Sequence, residues 1–181
     1  MIAYWAIGLL IAFTKNYTTK LAIQITPYSV FVLGVSLLCQ YFLSQRYTGF
    51  GRKRNWIPII IFGTFNGFCE TMIFLGVYDI ARQIQDVHKI VTVTLGFTLF
   101  SIYSALAHEH FWLPHALPPH VKPDAPPFTN TGLPYLIIMS IGWFSLYEIQ
   151  GDILSICIIH FLIDVWAASV MSLPSPFWAK Y

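Results

Sequence analysis

Apolar residues come in long runs along this chain, and short polar stretches separate them. Six runs stand out: residues 1–13, Leu21–Leu43, Trp56–Tyr78, Ile90–Ala107, Tyr135–Leu146 and Ile153–Leu173. A membrane-spanning helix needs about 20 apolar residues. The second, third, fourth and sixth runs meet or approach that length, and the first and fifth are short. The first lacks the basic leader and small-residue cleavage site of a secretion signal, so it reads as a short or tilted helix kept in the mature protein. Tyr135 to Leu173 is too long for one span, and "YEIQGD", Tyr147–Asp152, divides it. "DIARQIQDVHK" reads as an amphipathic surface turn or short helix. Residues 114–134 hold seven prolines, which no helix accommodates, and form a loop. The pattern predicts an all-α, polytopic membrane bundle of about six transmembrane helices in a single domain over residues 1–181.

Composition agrees with that prediction. The chain of 181 residues is 56% hydrophobic and 10% charged, against roughly 25% charged in soluble domains. A net charge of +2 argues against a nucleic-acid partner and leaves the lipid bilayer as the first expected one. Arg46, Arg52, Lys53 and Arg54, four of the ten basic residues, crowd one loop. By the positive-inside rule residues 46–54 face the cytoplasm, and the N-terminus, the histidine-rich loop and the C-terminus share that side if all six runs span. Lys15 and Lys20 fall on the other side. Asn16–Thr18 forms a glycosylation sequon close to the membrane. Cys39, Cys69 and Cys157 lie far apart within apolar runs and read as reduced packing residues.

Ionisable residues inside apolar helices are expensive, about 2.5–3.5 kcal/mol each at a helix centre on insertion scales, and they mark functional positions. Glu70 sits in "FNGFCETMIFLG", His108 closes "SALAH", and His160 and Asp164 share one helical face in "IIHFLID" at i, i+4 spacing. These four could be polar glue between helices. They could hold zinc or another divalent ion. They could also activate water, with Glu70 as general base and the histidines facing an oxyanion. His110, His115 and His120 follow His108 at spacings that match no compact zinc pattern, and read as a solvated loop. Ligation of a tetrapyrrole by one imidazole is permitted by the same histidine-rich loop. His88 reads as a surface residue.

The order and wording of these segments resemble the CAAX-protease and bacteriocin-processing (CPBP, or Abi) family of membrane proteins. The family's first motif, EExxxR, falls on Glu70–Leu75, where Thr71 replaces the second glutamate and Leu75 the arginine. Its second, FxxxH, falls on Ser104–His108 and keeps the histidine. Its third, HxxxN or HxxxD, is met by His160 and Asp164. The resemblance covers residues 55–172. It implies an intramembrane endopeptidase that cleaves a membrane-tethered peptide with water activated by Glu70, His108 and His160, while Asp164 shapes the site. The missing second glutamate and arginine remove a supporting charge pair. The alternative they raise is a catalytically inactive subunit or assembly factor of a larger membrane complex, docked through Phe111, Trp112 and Phe128 of the proline loop.

Overall fold

The computed structural model describes residues 2–22, 25–45, 55–84, 88–109 and 132–170. The basic loop 46–54, the histidines 110, 115 and 120, the aromatics Phe111, Trp112 and Phe128, and nearly all of the proline loop lie outside those residues. Among the described residues six α-helices carry the fold: α1 Ile2–Thr14, α2 Pro27–Ser44, α3 Trp56–Arg82, α4 Lys89–Ser101, α5 Leu133–Ser145 and α6 Ile153–Val170. No strand occurs among them. The all-α bundle anticipated from the hydropathy pattern is the observed architecture.

Four stretches are long and apolar enough to cross a bilayer: Pro27–Ser44, Trp56–Arg82, Lys89–Leu106 and Ile153–Val170. By length and composition this is a membrane protein. Isoleucines and phenylalanines such as Ile7, Phe31, Ile57 and Ile141 stand exposed on the outer faces, as a lipid solvent permits. At 13 residues, α1 rises only about 20 Å, short of a ~30 Å hydrocarbon core.

The ends of the helices follow from local chemistry. Thr26 and Ser29 form a reciprocal capping box at the start of α2, with Pro27 in the first turn, where its missing N–H is harmless. Asp152 accepts from the Ser155 amide at 3.0 Å and starts α6. Just before it, Gly151 takes the left-handed conformation (φ 65°) that lets the chain reverse. "YEIQGD" therefore breaks the long apolar run as its composition suggests, through one wide π turn at Leu146–Gln150 and this glycine. A second π turn, Ile102–Leu106, prolongs α4 toward His108. Asp79 to Arg82, expected in the polar turn, instead complete the last turn of α3.

Neighbouring helices are held by close backbone approaches. A Cβ added at Gly67 would lie 2.6 Å from the Phe161 backbone nitrogen, and one at Gly63 would lie 2.6 Å from the Val165 side chain. This Gly63–Gly67 pair is a GxxxG spacing, which brings α3 and α6 together as small residues do in membranes. Gly8 of α1 meets Cys69 of α3 in the same way, with a 2.4 Å approach to its carbonyl oxygen. Contacts of residues 5, 8 and 17 with residues 66, 69 and 79 show that α1 runs parallel to α3. Contacts of residues 96, 100 and 108 with 78, 74 and 70 show that α4 runs antiparallel to it.

Candidate functional site

The centre of the bundle is Glu70. It is buried on α3, one helical turn beyond Asn66 and level with the Gly67 contact to α6. Each of its oxygens accepts one hydrogen bond and lies close to one imidazole nitrogen. Oε1 accepts from the Tyr4 hydroxyl at 2.5 Å and lies 3.3 Å from His108 Nε2. Oε2 accepts from Asn66 Nδ2 at 2.8 Å and lies 3.3 Å from His160 Nε2. Asp164 adds a second carboxylate: its Oδ2 accepts from Asn66 Nδ2 at 3.1 Å and is 3.7 Å from His160 Nε2. The four ionisable residues read from the sequence, Glu70, His108, His160 and Asp164, thus converge from α3, the end of the extended α4, and α6.

Packing fixes the two imidazoles. His160 stacks on Phe74 at 5.5 Å between ring centroids and tilts against Trp143 at 4.8 Å. Its Nδ1 lies 3.1 Å from Thr71 Oγ1, whose hydroxyl donates to the Gly67 carbonyl at 2.6 Å. His108 meets Phe74 edge-on at 5.9 Å, and its Nδ1 lies 3.4 Å from the Tyr103 carbonyl. Beside the imidazoles opens a cavity of about 90 Å³, with room for several water molecules. His108, His160 and Asp164 line it together with apolar residues that include Phe74, Leu136 and Trp143. Glu70 is not part of its wall; the imidazoles it contacts are.

Sequence reasoning missed a ring of uncharged partners. Trp5 of α1 donates its indole N–H to Asn66 Oδ1 at 3.3 Å, which orients that amide so that its NH₂ faces the carboxylates. Tyr103 donates to Tyr4 at 2.8 Å, and Tyr4 in turn donates to Glu70. Thr71 supports His160, and Leu75 is fully buried among apolar neighbours. Tyr4, Trp5, Asn66 and Thr71 support the site with neutral groups. The site also reaches beyond residues 55–172, because Tyr4 and Trp5 come from α1 and Gln40 and Leu43 of α2 line the cavity. Only Asn66 left a trace in the sequence, a polar residue four positions before Glu70 on the same face.

The remaining candidates lie elsewhere. His88 is exposed at the start of α4 and accepts from the Ile90 amide. Glu109 turns away from the cluster and accepts from the Gly132 amide at 2.8 Å. Cys39, Cys69 and Cys157 are free and buried.

Fold and site together define a class: an apolar helical bundle whose interior holds an imidazole–carboxylate cluster beside a cavity. Comparison of the chain with protein-family models, with curated proteins and with solved structures finds no match in any of the three.

Proposed function

We propose that this protein is an intramembrane endopeptidase of the CPBP type, cleaving a membrane-tethered peptide with water activated at the Glu70–His108–His160–Asp164 cluster. The observation that carries the reading is a buried carboxylate in contact with two imidazoles from different helices, with the same imidazoles facing a cavity. A peptide hydrolase needs a base for the water and N–H donors for the oxyanion. In this reading Glu70 supplies the negative charge that draws the proton through the imidazoles that line the cavity, and those imidazoles face the oxyanion. The largely apolar cavity wall suits a substrate presented from within the bilayer. In this reading residues 46–54 face the cytoplasm.

The test is cleavage of a library of lipid-anchored peptides by wild-type protein in proteoliposomes, beside Glu70→Gln. Turnover by the wild type that falls at least ~100-fold in the variant, as expected for removal of an acid–base group, supports the reading. Equal turnover by both removes Glu70 from the chemistry.

A second reading rests on a different observation: both Glu70 oxygens are already engaged by Tyr4, Asn66 and the two histidines. A carboxylate so enclosed also serves as interhelical glue, and the chain would then be an inactive subunit of a larger membrane assembly. Purification in mild detergent distinguishes the two, since a stoichiometric companion favours the subunit.

A further inference from the structure

We infer that the paired hydroxyls of Ser104 and Ser140 form a subsite of the cavity that accepts a backbone N–H of the unwound peptide substrate. The inference rests on the hydrolytic reading and deepens it, by naming the part of the substrate that the α4–α5 side of the cavity recognises.

Ser104 lies in the π turn that prolongs α4, four residues before His108, and Ser140 lies on α5. Both are buried, and both line the cavity. Their Oγ atoms are 2.6 Å apart. Each Oγ is also 2.8 Å from a carbonyl of its own helix, Ser104 from that of Phe100 and Ser140 from that of Leu136. A serine has one hydroxyl proton, so these three short contacts share two protons. Both protons are committed within the pair and its own helices, and neither is left for a guest in the cavity. Toward a guest the two oxygens offer lone pairs alone. Their complement is an N–H or O–H donor.

An intramembrane peptide supplies that donor. Its helix must open before water reaches a carbonyl, and each N–H released in hydrocarbon is costly unless an acceptor meets it. The rest of what α5 gives to the wall, Leu136, Met139 and Trp143, presents no acceptor, and the Trp143 indole N–H is already bonded to Ser36 Oγ at 3.0 Å. The serine pair is therefore the neutral acceptor on this side of the cavity. Its place along the substrate follows from the helix: side chains one turn apart lie about 5–6 Å from each other, and an extended peptide advances about 3.3–3.6 Å per residue. The N–H held by the serines falls about two residues from the carbonyl held at His108. A serine pair that served only to join α4 to α5 would be indifferent to that N–H.

The test replaces single amides of a peptide by esters, which keep the carbonyl and remove the N–H. The probe is the tightest-binding member of the lipid-anchored library, fluorescently labelled, with one ester placed in turn at each position. Its Kd is read by anisotropy on Glu70→Gln protein, which holds it uncut. The expected result is one position at which the ester weakens binding about 3–10-fold, the worth of one neutral hydrogen bond. That loss should vanish in the Ser104→Ala, Ser140→Ala double variant. With wild-type protein the same ester should raise KM by the same factor and leave kcat within about twofold, as for a contact made equally in ground and transition states. The inference is overturned if no position is sensitive to the ester. It is also overturned if the sensitivity persists undiminished in the double variant or, should that variant not fold, in either single one. Cleavage of every ester peptide at the parent KM would overturn it and leave the hydrolytic reading standing. An ester-sensitive peptide that wild-type protein binds and never cuts would do the reverse. Folded protein that binds no library peptide defeats both.

Discussion

At the scale of single residues, Asn66 does more than its neutral side chain suggests. It donates to both buried carboxylates while accepting from Trp5, so it links α1, α3 and α6. Asn66→Ala leaves an indole N–H and two carboxylates short of a partner, and each buried group left unsatisfied costs about 1–3 kcal/mol. We expect a clear fall in the apparent melting temperature in detergent. Asn66→Asp should be worse, because it adds a third carboxylate to the cluster. The sequence alone revealed Glu70, His108, His160 and Asp164, since charge within an apolar run is conspicuous. It did not reveal Tyr4, Trp5 or Thr71. Tyrosine, tryptophan and threonine are ordinary in membrane helices, and their roles exist only once α1 lies beside α3 and α6 beside both.

At the scale of elements, glycine spacing decides whether the cluster assembles. Gly67 lets the α6 backbone at His160 and Phe161 touch α3, and a side chain there would collide with backbone, which cannot swing aside. Gly67→Val should push α6 outward, separate Thr71 from His160 and abolish peptide turnover. Gly34→Ala is the control. A Cβ there meets nothing within 4 Å, and alanine favours a helix by about 0.5–1 kcal/mol over glycine, so the melting temperature should hold or rise. The helices themselves were legible in the sequence because long apolar runs leave few alternatives. Their ends were less so: α3 runs on to Arg82, where Arg82 and the last-turn Asp79 find partners in the π turn that follows α5. Arg82 pairs with Glu148 at 3.4 Å, and Asp79 accepts from Tyr147 at 3.2 Å. The π turns at Ile102–Leu106 and Leu146–Gln150 have no sequence signature of their own, since each is an extra residue absorbed by packing.

At the scale of the whole molecule, the polar groups gather at two depths. One is the Glu70 cluster. The other lies further along α3, at its C-terminal end. There Asp79 accepts from Tyr17 at 2.5 Å and from Tyr147, Glu148 accepts from Tyr78, and Arg82 and Lys89 lie close to Glu148. This second cluster ties together the C-terminal ends of α1, α3 and α5 and the start of α4. Asp79→Ala removes the acceptor shared by two tyrosine hydroxyls and should lower the melting temperature more than Lys89→Ala, which removes an exposed ion pair worth about 0–1 kcal/mol. Single-cysteine labelling tests the orientation: Arg52→Cys should react from the cytoplasmic side and Lys20→Cys from the other. The native cysteines are buried and should stay silent.

In the proposed mechanism the cluster around Glu70 delivers water to a peptide bond. The most direct measurement is cleavage of the lipid-anchored peptide library in ¹⁸O-labelled water, read by mass spectrometry with wild-type protein and Glu70→Gln side by side. The account predicts a product whose new C-terminal carboxylate has gained one ¹⁸O, formed by the wild type and not by the variant. Products formed equally by both, or an uncut library with folded wild-type protein, would contradict it.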